Sequence, residues 1–440
     1  MVAGQRAAIA PGALARPRLV FATCRPPFPL DNGARIRTYH LLAGLSQYFD
    51  TTLVTFVHHP DSPDGGCDHR LLEERLERVK VVTVAGAGPR KRASQLASVA
   101  RVQSWSLGRY CTPAFAAALA DTVAAQRPGV VHFDDAGVAL AAPVRDAVNV
   151  YCSHNIEQTI LRFEASAGSP VRRLFNLLEA HKVAREERRI WRTADLCLAV
   201  SPPDASAMER GGASRTEVCP NGVDAVKRLP LPPIGKDAPL RLLFVGSGNY
   251  LPYERGLAWL VREVLPRVRA KVPVVLDVVG VRPARPLAAE GVRYLGRVPM
   301  VQPYYEASHV VVVPVFEGSG TRLKIIEAAA LGRPVVSTRL GAEGLPLKAG
   351  ADYLQADSAA DFAGAVLQLE RWWREADRRR LEGLIDGAWN GVLPLRWPRV
   401  VERLAGLYRA EIAHRCGTEA SPARGRVTSS PAGDWVGASG

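Results

Sequence analysis

The sequence predicts an α/β protein built from two doubly wound parallel-sheet domains that face each other across a cleft. Three observations lead there. Short apolar, β-branched runs alternate with helical segments from residue 18 onward. A Pro-rich stretch, AVKRLPLPPIGKDAP (225–239), interrupts the alternation, and the pattern restarts with LRLLFVG (240–246). Continuous apolar runs such as HVVVVPV (309–315) fit strands buried on both faces, and strand–helix alternation fits parallel strands joined by crossover helices.

In chain order, RLVFAT (18–23) reads as a strand, 33–49 as a helix, TTLVTFV (51–57) as a strand and 71–79 as a helix. VKVVTV (79–84) and VVHF (130–133) are strands, with a helix over 113–125 between them. NVYCSHN (149–155) and DLCLAVS (195–201) are further strands. The long segment 171–193 between them is rich in Arg and Glu, and its pattern predicts a surface helix laced with i,i+4 ion pairs; a basic face turned to a membrane is the alternative. After the Pro-rich linker, VVLDVVG (274–280), VRYLG (292–296), the 309–315 run and VVST (335–338) supply a second sheet, with helices over 255–270, 323–331 and 359–374. An amphipathic helix over 397–414 closes the pattern. The resulting boundaries are a flexible tail 1–16, a Rossmann-like domain 17–225, a linker 226–239, a second Rossmann-like domain 240–395, a last helix 396–415, and a Ser/Ala/Gly/Pro-rich disordered tail 416–440.

Composition narrows the function. The formal net charge of +14 suits an acidic ligand or an anionic membrane surface. The basic residues are spread along the chain and form no block with interleaved aromatics, so nucleic acid is not an expected partner. Seven cysteines with no C-x-x-C pair point to reduced thiols and to no metal centre. No apolar run reaches membrane-spanning length, and the Ala-rich start, broken by Pro11, does not read as a signal peptide. A cytoplasmic protein, peripheral at most on the inner membrane, is expected.

The stretch FEGSGTRLKIIEAAALGRPVVSTRLGAEGL (316–345) carries the chemistry. Gly318, Ser319 and Gly320 let a ligand approach the backbone, and Ser319 or Thr321 is placed to cap the helix that follows. Free N–H groups at a helix start attract an anion. Arg322 and Lys324 add cations where the helix dipole disfavours them by about 0.3–1 kcal/mol each, which suggests a bound anion. Glu327, one turn on, has the carboxylate to hold two ribose hydroxyls. The blander alternative is a solvated helix start with a Lys324/Glu327 surface pair. The loop RPPFPLDNGARIRTYH (25–40) repeats the chemistry, with Gly33 at a helix start and Arg35 and Arg37 in its first turn. His154 ends a strand at the cleft mouth. Gly246 follows the second domain's first strand, but Leu251 breaks a G-x-G-x-x-G pattern, so no dinucleotide fingerprint is present. Gly341, Ala342 and Glu343 are placed to offer backbone N–H groups, and Asn221-Gly222 reads as a turn.

With DNGARIR, SHNIE, ADLCLAVS, PNGVD and TRLK-IIEA-A-GRPVVST-LGAEGL in hand, the chain resembles the family 4 glycosyltransferases of the GT-B fold, of the bacterial sugar-transferase type, over 17–412. The resemblance implies a nucleotide diphosphate sugar bound mainly to the second domain, a carbohydrate or lipid-linked acceptor bound mainly to the first, retention of anomeric configuration, and neither metal nor cofactor. It implies that the last helix crosses back to the first domain. It assigns His154 to the neighbourhood of the transferred sugar, Gly33 to the diphosphate, Arg297 and Val298 to the base, and Glu327 to the ribose. Ser319 stands where the family has the first Glu of its E-x7-E motif, and Arg322 and Lys324 would carry the charge that other cations carry in the family. A sugar-nucleotide epimerase of the same fold, a silent binding module, and a glycoside hydrolase using Glu317 and Glu327 are the alternatives.

Overall fold

The computed structural model describes residues 16–57, 67, 69–86, 95, 98–141, 143–166, 169–224, 227–235, 237–246, 250–280, 287, 289–375 and 378–417. The two expected tails therefore fall almost wholly outside the described residues. Among the described residues, thirteen strands form two sheets. The first holds β1 (Arg18–Thr23), β2 (Asp50–Val57), β3 (Val79–Ala85), β4 (Val130–Phe133), β5 (Val148–Cys152), β6 (Leu196–Ala199) and β7 (Thr216–Val218) in the order β3-β2-β1-β4-β5-β6-β7. The second holds β8 (Leu240–Val245), β9 (Val274–Val279), β10 (Val292–Gly296), β11 (Val310–Val313), β12 (Val335–Ser337) and β13 (Leu354–Gln355) in the order β10-β9-β8-β11-β12-β13. Every pairing between these strands is parallel.

Strand order reverses direction between β1 and β4 and again between β8 and β11. Open parallel sheets bind ligands beyond the carboxyl ends of their strands at such points. The loops after β4, at Asp134, and after β11, at 314–322, are therefore where chemistry is expected.

The helices that bear on the site are α1 (Gly33–Leu45), α2 (Glu157–Glu164), α3 (Pro170–Thr193), α4 (Leu251–Trp259), α5 (Gln302–Ala307), α6 (Leu323–Ala330), α7 (Ala359–Arg374) and α8 (Trp397–Arg415). Asn32 caps α1 by accepting from Arg35 N, and Ser169 caps α3. The helix expected over 255–270 begins at Leu251 and passes through one π turn, Leu260–Val264. Pro266 explains the turn, because it has no N–H to donate into the ladder.

The first sheet is covered on one face by α1 and α8. Trp397, Val400, Val401, Leu404 and Tyr408 of α8 join Leu41, Leu42 and Phe49 in one apolar cluster. Gly44 is required there, since a Cβ on it would lie 2.5 Å from Val401 Cγ2. The second sheet buries Phe362, Val366, Leu369 and Trp373 of α7. The chain crosses between lobes at Val223 and again at 395–397, where Val223 N donates to Leu395 O (2.9 Å) and Trp397 N to Val223 O (3.1 Å).

The Pro-rich linker lies against the second lobe: Leu231 and Ile234 pack on its core, and Arg333 Nη2 and Trp373 Nε1 donate to Pro230 O (2.6 Å) and Pro232 O (3.1 Å). One expected feature differs. Helix α3 is not laced with i,i+4 pairs. Its acids turn inward and cap neighbouring segments. Glu179 accepts from Trp105 N (2.8 Å), Glu186 from Ser104 N (2.9 Å), and Glu187 from Glu157 N (2.8 Å) and Gln158 N (3.2 Å). Buried N–H groups at helix starts must find acceptors, and these carboxylates lie within reach.

Candidate functional site

The loop after β11 reaches α6 through two left-handed glycines, Gly318 (φ 113°) and Gly320 (φ 74°). A Cβ on Gly320 would lie 2.6 Å from Asn155 Oδ1 and 2.9 Å from His154 O. The second lobe therefore touches the SHNIE segment of the first at this glycine. Gly33 sits against the same helix, with Leu323 Cδ1 2.7 Å from where its Cβ would be. His154, Gly33, Gly318, Ser319, Gly320, Thr321 and the start of α6 thus come together between the lobes.

Helix α6 begins at Leu323 with no side-chain cap. Ser319 and Thr321 do not cap it, contrary to expectation; each bonds across to the first lobe instead. Ser319 Oγ accepts from Ile156 N (3.2 Å), and Thr321 Oγ1 accepts from Asn221 Nδ2 (2.8 Å). Asn221 is in turn held by Arg37 Nη1 at 3.2 Å. It is more than a turn residue, and sequence reasoning did not find it. Gly222 beside it is obligatory because the Trp397 ring covers it, 2.4 Å from a would-be Cβ.

Arg322 and Lys324 are not the solvated surface cations of the bland alternative. They are 3% and 6% exposed. Arg322 Nη1 donates to Ser319 O (2.8 Å) and to Gly320 O. Its Nε and Nη2, and Lys324 Nζ, have no hydrogen-bond partner. Lys324 Nζ rests 3.4 Å from the Tyr253 ring centre. Burial, then the neighbouring Arg322, pushes the Lys324 ammonium well below its ordinary range. Glu327 is half-buried and accepts from Tyr305 Oη of α5 (3.0 Å), and burial raises its pKa. Tyr253 and Tyr305 are site residues that no local pattern pointed to.

The remaining expected donor contacts take other partners here. Arg35 pairs with Asp31 (3.0 Å), and Asp31 also pairs with Arg297 across the cleft. Val298 packs on the second lobe's inner core. Gly246 N donates to Val279 O (2.9 Å), so this amide extends the sheet and is not turned to a ligand. The amides of Gly341, Ala342 and Glu343 are likewise engaged, by Thr338 Oγ1, Thr338 O and Leu340 O. Arg37, expected near the anion, is 1% exposed and holds Cys219 O (2.7 Å) and Pro220 O (2.9 Å). Glu317 pairs with Arg255 of α4 (2.6 Å), whereas Glu327 accepts from Tyr305, so the two carboxylates take separate partners.

Behind His154 lies a buried network. His154 Nε2 is 3.2 Å from Asp134 Oδ2, and Asp134 Oδ1 is 3.3 Å from His132 Nε2. Burial opposes the Asp134 charge, but His154 and His132 more than offset it, so its pKa lies well below the usual carboxylate range. His132, Asp134 and Cys152 offer ligand atoms within 4.8 Å of one another. Arg37 Nη2 lies 3.5 Å from Cys152 Sγ, however, and both Asp134 oxygens have donors, so the set fits a hydrogen-bonded network better than a cation.

Two family models match the chain, one described as glycosyl transferases group 1 over 239–371, the other as glycosyltransferase family 4 over 69–227. The chain belongs to the family 4 glycosyltransferases. The fold of this glycosyltransferase is GT-B. It is similar to sucrose-phosphate synthase from Thermosynechococcus elongatus, at 18% identity over 90% of this chain and 100% of that one, with a TM-score of 0.63. It is similar to Anabaena HepE, solved in complex with UDP and glucose, at 15% identity over 90% and 100%, with a TM-score of 0.58. It is also similar to WaaG, a glycosyltransferase involved in lipopolysaccharide biosynthesis, at 12% identity over 89% and 99%, with a TM-score of 0.59. No curated protein matches by sequence.

Proposed function

We propose that this glycosyltransferase moves a sugar from a nucleoside diphosphate sugar to an acceptor hydroxyl, with retention and without a metal. The observation that carries the proposal is the pair of buried cations with unpartnered nitrogens at the start of α6. An unpaired buried charge is costly, and a diphosphate seated between Arg322 and Lys324 satisfies both. Glu327, oriented by Tyr305, is placed to accept ribose hydroxyls. The bond from anomeric carbon to diphosphate oxygen breaks, the acceptor oxygen bonds to that carbon, and its proton passes to the departing phosphate. The fixed cations stabilise the charge that builds on the leaving group. HepE's complex with UDP and glucose supports a uridine nucleotide as the first donor to try.

The acceptor would lie on the first lobe, in polysaccharide or glycoconjugate biosynthesis in the cytoplasm of a bacterium. Among the described residues no helix is long and apolar enough to cross a membrane. The start of α3 exposes Val171 (79%) and Leu174 (71%) beside exposed Arg172 and Arg173, which supports peripheral contact with an anionic leaflet carrying a lipid-linked acceptor.

The test is a thermal-shift screen of nucleotide sugars, followed by NMR of the product anomer in EDTA. Stabilisation by UDP-glucose or a relative that is lost in Arg322→Ala and Lys324→Ala is expected. Variants that bind as the wild type does would overturn the site. An inverted product would overturn retention, and a product formed from donor alone would favour an epimerase.

A further inference from the structure

The network behind His154 is closed and can be read donor by donor. Asp134 is fully buried at the end of β4, the first sheet's switch point. An ionised carboxylate only accepts hydrogen bonds. Its Oδ1 faces His132 Nε2 at 3.3 Å, and its Oδ2 faces both the Thr38 hydroxyl of α1 at 2.5 Å and His154 Nε2 at 3.2 Å. A bare imidazole nitrogen there would turn its lone pair to the carboxylate's own, so the tautomers favoured carry the proton on each Nε2 that faces Asp134. His132 Nδ1 meets Tyr408 Oη of α8 at 2.5 Å, which anchors the network in the closing helix. His132 also stacks on Phe21 of β1, centroids 4.2 Å apart, which fixes its ring plane.

We propose that Asp134 is a positioning residue that locks His154 as the Nε2-protonated tautomer, so that Nδ1 offers a lone pair to a sugar hydroxyl between the lobes. Tyr408 and His132 hold Asp134 in place, so α8 is part of the catalytic architecture as well as a packing element. The inference rests on the reading of His154 as a residue facing the transferred sugar. It assigns the acceptor nitrogen, which that reading leaves open. His154 retains 14% side-chain exposure, whereas Asp134 and His132 have none, so one end alone of the network is open to a ligand.

The experiment is nitrogen-15 NMR of histidine-labelled full-length protein, with the His154 signals assigned by His154→Gln. The wild type shows a protonated Nε2 and a bare Nδ1. Asp134→Asn, which can also donate from its amide, gives a mixed or reversed tautomer. The same variant lowers kcat for UDP release from UDP-glucose about ten- to a hundredfold, the worth of one charge-assisted hydrogen bond, with KM changed less than about threefold. Tyr408→Phe keeps the ring and shows a smaller loss in the same direction, and thermal unfolding confirms that both variants fold. A wild-type His154 protonated on Nδ1, or an Asp134→Asn variant with unchanged tautomer and turnover, overturns the proposal. The expected tautomer with an Nδ1 signal indifferent to UDP-glucose overturns the sugar-facing reading instead, so the two failures are distinguishable.

Discussion

Replacing Lys324 by Met should stabilise the ligand-free protein and weaken nucleotide binding, two effects of opposite sign from one change. Lys324 Nζ has no hydrogen-bond partner, is 6% exposed, and sits beside Arg322. Removing an unsatisfied buried polar group returns about 1–3 kcal/mol. Against that, the contact with the Tyr253 ring is worth about 0.5–2 kcal/mol, partly replaced by a sulfur–aromatic contact of about 0.3–1.5 kcal/mol. The balance is a gain of roughly 1 kcal/mol, or about 2–4 °C in Tm for a lobe of this size. Binding of UDP loses one charge-assisted contact, about 1.5–3 kcal/mol, hence roughly ten- to a hundredfold in Kd. Protonation adds a second signature. The folded pKa lies below the unfolded one, so the unfolded chain binds more protons between them, and the ligand-free protein gains stability as pH rises through that window. UDP raises the folded pKa again, so binding at a pH between the free and the bound values takes up a proton. Calorimetry in two buffers of different ionisation enthalpy detects the uptake, and Lys324→Met abolishes it. A Met variant that melts lower than wild type and still binds UDP within about twofold would refute the reasoning, because a satisfied lysine behaves that way.

Three further changes test other parts of the molecule. Gly320→Ala places a Cβ 2.6 Å from Asn155 Oδ1 in a left-handed conformation, costing about 1–2 kcal/mol; turnover of UDP-glucose should fall more than UDP affinity, since the peptide of His154 must move. Gly44→Ala drives a Cβ into Val401 and should cost about 1–3 kcal/mol in urea unfolding, with Val401→Ala in the same chain restoring most of it. Burial raises Glu187 to about 7, so the stability it contributes is full below its unfolded pKa and is lost as pH rises toward that value; in Glu187→Gln the fall of Tm between pH 5 and about 7 should flatten.

Most of the architecture was legible because it is periodic and local. Val310–Val313 could be read as a buried strand from four β-branched residues in a row, and Gly332 as a helix terminator, which its φ of 70° bears out. The unread parts depend on contacts distant in sequence. Asp134 is the first of two adjacent aspartates in FDDA, and nothing local separates it from Asp135, which caps a short helix through Gly137 N. What singles it out is Thr38, 96 residues earlier, and a histidine anchored by Tyr408, 276 residues beyond it. Asn221 carried only the signal of a turn, because its partners Arg37 and Thr321 lie in different lobes. Arg37 misled for the converse reason. A cation in a helix's first turn suggests an anion, but three acceptors from 219–221 surround this one.

The contacts between the lobes divide into two kinds, and the division bears on how a donor enters. At the crossing of the chain, Val223 of the first lobe enters an apolar cluster of the second lobe with Ile326, Ala329, Ala330, Ala388, Val392 and Leu395. Around the site Gly33 packs on Leu323, and the lobes also touch through single polar contacts: Ile156 N to Ser319 Oγ, Asn221 to Thr321, Arg297 to Asp31, and Arg255 to Ser166. Each of these is worth about 1 kcal/mol or less net, because water replaces it readily. Apolar contact has no such substitute, so an opening of the cleft breaks these polar contacts at little cost and leaves Val223 seated at the crossing. Ser319 lies on the yielding side. Its hydroxyl holds Ile156 N of the first lobe, so Ser319 is one of the polar contacts that an opening of the cleft would break.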